Sequence, residues 1–270
     1  MAAPYHLHCR SEHHVTPEPI SRKLVEGQDS DRYAMRQMTF TTSTTIVRFG
    51  LFLALWPILI VHAAYAISAS EGHAPVCIPY WDGCTSISRA GRHGWANHLF
   101  RAALLPYAPL LGLHWWLNQR WLLARGDRGS GAMTVAGWTG VLFLVLYLTF
   151  LGTEGPTYQL MRRYGINVYF GATFLAQVLL LVRLQATAAV ASPPLPRWLV
   201  PALALLALAI LAMGLLFATA GHLLPIDRDR LRNALEWNVA LSMQLSLLLV
   251  PFGWRACGLH LQVGCGQKQS

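Results

Sequence analysis

The chain has 270 residues, of which 54% are hydrophobic and 12% are charged, and its mean hydropathy is +0.38. Soluble domains carry about a quarter charged residues, so this composition excludes a disordered chain, a collagen and a disulfide-rich mini-protein, and it argues against an ordinary water-soluble enzyme. The 21 basic residues outnumber the 12 acidic ones, and in so apolar a chain this excess indicates cytoplasmic membrane loops rather than a nucleic-acid partner.

Six stretches are long and apolar enough to cross a bilayer as helices. They cover about residues 46–67, 99–117, 133–152, 165–184, 198–220 and 233–254. The fifth consists almost entirely of Leu and Ala, whereas Pro106 and Pro109 interrupt the second. The sequence therefore predicts an all-α polytopic membrane protein, a bundle of six transmembrane helices within residues 45–255.

The charges of the loops predict how this bundle is oriented. If the N-terminus lies in the cytoplasm, thirteen of the 21 Lys and Arg residues fall in inner segments and eight in outer segments. Positive residues accumulate on the cytoplasmic side of membrane proteins. We therefore expect both termini inside, the N-in/C-in topology.

The two ends of the chain are predicted to be cytoplasmic tails, a disordered polar one at residues 1–44 and a short one at 256–270. The first lacks the apolar core of a signal peptide. It contains several residues that resemble metal ligands, namely His6, His8, Cys9, His13 and His14. Because no second ligand pair with structural spacing follows, we expect no metal site there, and no motif indicates a cofactor.

The first outer loop, residues 68–98, contains the residues best suited to chemistry. Cys77 and Cys84 could be bridged in an oxidising compartment or remain free. The weak catalytic candidates are Asp82, Ser86, His93 and His98. Because the chain has no GxSxG, HExxH or Walker A motif, a Ser–His–Asp arrangement is only an alternative.

Ionisable residues also lie near the outer ends of the helices. Arg101 lies about one turn inside the second predicted span, where it either extends to the membrane interface or pairs inside the bundle. Glu236, at the outer start of the sixth span, is its expected partner, although a carboxylate there also suits the helix dipole. Together with the polar loops, these residues predict an outer vestibule that could hold a lipid headgroup, with arginine on the phosphate.

Three local patterns resemble the DRAM/Frag/Sfk family of six-span membrane proteins. They are YWDGCTSISRAGR followed by LFRAALLP, then EGPTYQLMRRYGINVYFGATFLAQ, and then LEW at the start of the sixth span. The resemblance covers about residues 46–254. It departs from the family at MRRYG, where members often carry a His. The family includes damage-regulated autophagy modulators and a factor that processes GPI anchors.

The resemblance implies a polar site on the luminal or exofacial side. The matching positions are Ser86, Ser88, Arg101, Glu154, Glu236 and Trp237. Arg92 of the first outer loop and Asn167 of the fourth span complete the predicted headgroup-binding set. The set is Ser86, Ser88, Arg92, Arg101, Glu154, Asn167, Glu236 and Trp237. Short loops and an Arg-, Ala- and Leu-rich composition favour a bacterial member of the inner membrane.

Three functions remain open at the level of sequence. The first is a protein that binds membrane lipids at this outer site and remodels or organises them. The second is a membrane-embedded lipid hydrolase or a transferase of acyl chains or headgroups. The third is a transporter or a structural protein that binds a protein partner, which ranks last because no inverted repeat is visible.

Overall fold

The computed structural model of the chain describes residues 5–8, 38–41, 43–188, 191, 193–223 and 227–263. Six long helices dominate this part. They are α1 (Ser43–Ser70), α4 (Gly94–Ala124), α5 (Gly131–Phe150), α6 (Pro156–Ala188), α7 (Leu199–Leu223) and α8 (Arg228–Ala256). The loop between α1 and α4 contains two single-turn helices, α2 (Pro79–Asp82) and α3 (Ile87–Ala90). The protein is therefore overwhelmingly helical, as the sequence predicts.

Five of the long helices, all except α4, are long and apolar enough to cross a membrane. The second predicted span falls within α4, whose middle carries polar groups as well as two prolines. Two of these groups, His114 and Asn118, are fully buried. The Asn118 side chain accepts a hydrogen bond of 3.2 Å from Trp254 Nε1 and donates one of 3.0 Å to the His114 carbonyl. Neighbouring helices thus accommodate the polar middle of α4.

The six long helices pack in chain order around a closed ring. Each contacts the next, and α8 returns to contact α1. Helices α5 and α6 approach each other closely at Gly165. A Cβ atom at this position would lie 2.9 Å from the backbone nitrogen of Tyr147, which explains the glycine. Helix α7 packs on α8 and α6, and exposes a row of Leu side chains that suits contact with lipid.

The helices α1 and α8 run antiparallel to each other. Near one end of the bundle, a side chain at Gly50 would collide with Pro251. Near the other end, the rings of Tyr65 and Trp237 are 5.8 Å apart. The start of α1 and the end of α8 therefore lie at the same end of the bundle, which we call the inner end, and the α1–α4 loop lies at the outer end.

Three short strands pair at the two ends of the chain. Strands β1 (Tyr5–His8) and β2 (Met38–Thr41) both lie antiparallel to β3 (His260–Val263), in the order β1–β3–β2. They fall within the two regions assigned to tails. Of those regions the structure also describes residues 43–44 and 256–259, whereas the rest lies outside the described residues, as do Cys9, His13 and His14 and the side chains of His6 and His8.

Basic side chains join the loops at the inner end. Arg125 is buried and donates a hydrogen bond of 3.0 Å to the Pro193 carbonyl and one of 3.2 Å to the sulfur of Cys257. Asp127 lies 3.8 Å from the guanidinium of Arg183. These contacts connect the α4–α5 loop with α6, the α6–α7 loop and the end of α8.

Candidate functional site

The outer loop is fastened to α8 by three side chains. Asn233, Trp237 and Asn238 donate hydrogen bonds, each of 2.9 Å, to the carbonyls of Gly83, Thr85 and Tyr80 respectively. The three donors lie on the first turns of α8, and the acceptors lie in or beside α2 and α3. Trp237, a predicted headgroup ligand, is 1% exposed, so the structure gives it the role of an anchor for the loop.

A second set of contacts holds the loop against α1. Cys77 and Cys84 form a disulfide, with their Cα atoms 6.6 Å apart. The Tyr65 hydroxyl accepts a hydrogen bond of 2.9 Å from the Cys77 amide. The Tyr80 hydroxyl lies 3.0 Å from His62 Nε2. Partial burial raises the pKa of Tyr80 above its ordinary value, so this hydroxyl remains protonated at neutral pH.

The four weak catalytic candidates occupy separate positions. The Ser86 hydroxyl caps α3 by accepting a hydrogen bond from the Arg89 amide at 3.1 Å, and an Asp82 carboxylate oxygen accepts one from the Ile78 amide at 2.8 Å. The imidazole of His98 is exposed beside Trp95. His93 lies beside His73, with 5.4 Å between the rings. Within the described part of the chain, no hydrogen bond joins any two of the four candidates.

Glu236 interacts with the backbone of the outer loop. Its Oε1 atom accepts a hydrogen bond from the Ser88 amide at 3.4 Å, and the Ile87 amide points to the same carboxylate. Both amides belong to the first turn of α3, where N–H groups have no partner within the helix. The positive charges of Arg232 and Arg89 act on this carboxylate. Glu236 therefore caps α3 and connects the loop to α8.

Five side chains, which we call the outer polar cluster, meet around the hydroxyl of Tyr147, and Glu236 is one of them. They are Ser88, Arg92, Tyr147, Arg162 and Glu236. Arg92 Nη2 donates a hydrogen bond of 3.4 Å to the Ser88 hydroxyl, and Arg162 Nη1 donates to the carbonyls of Phe150 and Thr153. Three of the eight predicted headgroup residues, Ser88, Arg92 and Glu236, thus lie together.

The other five predicted residues lie outside this cluster. Ser86 caps α3, Trp237 anchors the loop and Asn167 lies further along α6. Arg101 makes no ion pair or hydrogen bond within the described residues, and its Nε atom is buried without a partner. The expected pairing of Arg101 with Glu236 is therefore not observed, because the backbone of α3 occupies the Glu236 carboxylate. Glu154 is exposed in the α5–α6 loop.

A groove between α6, α7 and α8 opens sideways from the bundle near its outer end. It contains about 720 Å³ of empty space, counting the part open to the surface. Polar groups come from Asn167, Arg232 and Glu236, and the apolar wall includes Met213 and Phe217. Arg163 lies one helical turn before Asn167 on the same face of α6. It is exposed and has no ion pair in the part of the chain described.

Several residues of this region cannot be recognised from the sequence. Arg232 forms an ion pair of 2.9 Å with Asp229, and the alternating charges around it predict only a solvated surface. Tyr147 lies inside an apolar span, with no charged neighbour in sequence to mark it. A polar residue on an apolar helix can be recognised from sequence, but a tyrosine is too common at membrane interfaces to be singled out.

Comparison with known proteins adds no relative to this description. No family model, no curated protein and no solved structure matches the chain.

Proposed function

We propose that this protein binds the headgroup of a membrane phospholipid on its outer side, in the groove between α6, α7 and α8. The observation that carries the proposal is the composition of the groove. Asn167, Arg232 and Glu236 supply its polar groups, Arg163 lies one turn before Asn167 on the same face of α6, and the rest of the wall is apolar. A phospholipid has the same division, with an anionic phosphate that suits arginine and with chains that suit the apolar wall.

The resemblance to the DRAM/Frag/Sfk family supports the same proposal, since it also implies a polar site on the outer side. Asn167 and Glu236, two residues predicted from sequence, line the groove. The four weak catalytic candidates are not assembled with one another, so we propose lipid binding or organisation in preference to hydrolysis or transfer.

Removal of the unpaired cation at the groove tests this proposal. We expect Arg163→Ala to weaken retention of phosphatidylglycerol roughly five- to tenfold, because a cation near an anionic headgroup contributes about 1 kcal/mol. The measurement is native mass spectrometry of the detergent-purified protein after incubation with phosphatidylglycerol. Arg197→Ala, which removes an exposed arginine at the inner end, is the matched control. Equal retention by the two variants would contradict the proposal.

We further infer that α4 is a sixth membrane crossing and that both termini face the cytoplasm of a bacterial cell. Three contacts along α4 support the crossing. Asn97 donates to the carbonyl of Leu151 at the outer end, Trp56 donates to the carbonyl of Ala103 further along, and Asn118 meets Trp254 near the inner end. The Cys77–Cys84 disulfide favours an oxidising compartment around the outer loop.

Labelling of single cysteines tests this orientation. Trp81→Cys, in the outer loop, should react with a membrane-impermeant maleimide in intact bacterial spheroplasts, because Trp81 is 87% exposed. Arg128→Cys, an exposed position in the α4–α5 loop, should react only after the membrane is permeabilised. The reverse pattern would invert the topology, and labelling of both sites in intact spheroplasts would argue against six crossings.

A further inference from the structure

A largely apolar cavity lies inside the helical ring, next to the outer polar cluster. It is narrow, and it contains about 700 Å³ of empty space when its opening is counted. Its walls come from every long helix except α7, together with α2 and α3. Within the described chain, no Lys, Arg, Asp or Glu belongs to the lining. Because burial of a charge without a partner is costly, this lining favours an uncharged occupant.

Three polar side chains on the cavity wall lack partners. The hydroxyls of Tyr107 and Tyr147 and the Oε1 atom of Gln244 make no hydrogen bond to any described residue. The side chains line the cavity, and the three residues are 2%, 2% and 8% exposed. Folded proteins rarely leave buried polar groups unpaired, because each costs the free energy of a lost hydrogen bond. The three groups are therefore available to form hydrogen bonds with a bound molecule.

Other polar groups on the same wall are already paired. The Tyr80 hydroxyl contacts His62, and Trp237 Nε1 donates to the carbonyl of Thr85. The unpaired groups are therefore not a general property of this wall. The Tyr107 hydroxyl and the Gln244 side chain are close enough to interact with each other, and the Tyr147 hydroxyl interacts with the Ser88 side chain of the outer polar cluster, although neither pair has the geometry of a formed hydrogen bond. The groups without partners thus mark two separate points of the cavity.

The cavity and the lateral groove share a wall. Ile166 and Phe170 of α6 line both spaces. The groove opens to the surface of the bundle, where apolar side chains of α7 are exposed. The side chains of Ile166 and Phe170 therefore lie between the groove and the cavity.

We propose that this cavity binds an uncharged amphipathic molecule, one whose head carries carbonyl oxygens and whose tail is a hydrocarbon. Tyrosine hydroxyls donate hydrogen bonds to carbonyl oxygens, so Tyr107 and Tyr147 recognise the head, while the aliphatic and aromatic walls cover the tail. An isoprenoid quinone and a diacylglycerol both have this chemistry. The site adjoins the phospholipid groove, but the residues that recognise the head, Tyr107 and Tyr147, do not line that groove.

Two soluble probes test the site and show whether it binds a quinone or a diacylglycerol. A ubiquinone with one isoprene unit and dioctanoylglycerol are each added to the detergent-purified full chain, and binding is measured by native mass spectrometry. We expect at least one probe to bind with one molecule per chain. The double variant Tyr107→Phe/Tyr147→Phe, which keeps the shape of both rings, should weaken this binding about tenfold or more. The control Tyr158→Phe changes a tyrosine outside the cavity lining and should have no effect.

A second variant separates loss of binding from loss of folding. Ala240 lines the cavity, so Ala240→Phe should fill part of it and abolish binding of the probe, while phosphatidylglycerol retention shows that the groove is intact. The proposal is overturned if neither probe binds, which would indicate water in the cavity, or if the double tyrosine variant binds as well as the unaltered protein. Loss of phospholipid retention in Arg163→Ala would not by itself contradict binding in the cavity.

Discussion

Replacement of Gly214 by tryptophan is expected to abolish phospholipid retention, with at least a tenfold loss. Gly214 lines the lateral groove, and a Cβ atom added there would meet nothing within 4 Å. An indole at this position therefore occupies the space of the lipid without colliding with the protein. Because glycine is a poor helix former, the substitution should not weaken α7 itself. Native mass spectrometry with phosphatidylglycerol measures the loss.

Gly131→Trp is the matched control for this experiment. Gly131 is also an exposed helical glycine with open space around it, but it lies at the start of α5, at the inner end and away from the groove. We expect this variant to retain lipid as the unaltered protein does, and both variants to unfold at unaltered temperatures. If Gly214→Trp retains phospholipid fully, the groove is not the lipid site.

Trp237→Ala is expected to destabilise the protein by about 3 kcal/mol, which lowers Tm by roughly 6–12 °C. The indole is buried against His62, Tyr65 and Tyr80, with ring centroids 5.6, 5.8 and 5.4 Å away, and it donates a hydrogen bond to the outer loop. Its removal leaves a cavity and an unpaired carbonyl. We place the cost at the low end of the range for Trp in soluble cores, because the apolar transfer term is smaller in a membrane.

Trp81→Ala controls for the loss of a tryptophan from the same region. Trp81 lies on α2 and is 87% exposed, so its removal should change the free energy of unfolding by about 0.5 kcal/mol or less. Thermal unfolding of both variants in the same detergent gives the comparison. An unaltered Tm in Trp237→Ala, accompanied by loss of phospholipid, would show that Trp237 is a lipid ligand and not an anchor.

The location of the outer site can be predicted from the sequence, but its contacts cannot. The composition of the 68–98 loop and the polar starts of the helices identify the region where the outer polar cluster forms, because ionisable residues beside apolar spans tend to face the bundle interior and pair there. They do not identify the contacts. Glu236 and Ser88 are 148 residues apart in the chain, and a carboxylate near several candidate partners cannot be assigned to one of them by spacing.

Tertiary packing also determines which glycines and tryptophans matter. Gly165 and Gly171 are both helical glycines of α6, but only Gly165 lies against the backbone of Tyr147. Trp81 and Trp237 are both aromatic residues near the membrane interface, yet one is exposed and the other is buried. Such differences depend on which face of an element meets a neighbour, and the sequence alone does not give the neighbour.

The sequence by itself determined that this chain is helical and rich in apolar helices long enough to span a membrane, because the length and hydropathy of a segment are local properties and in lipid only a helix satisfies its own backbone. Only the tertiary structure decided that Glu236 caps α3, that α7 leaves a groove beside α6 and α8, and that Tyr107, Tyr147 and Gln244 line one cavity. These features arise from side chains far apart in the chain, whose partners are chosen by the packing of whole helices.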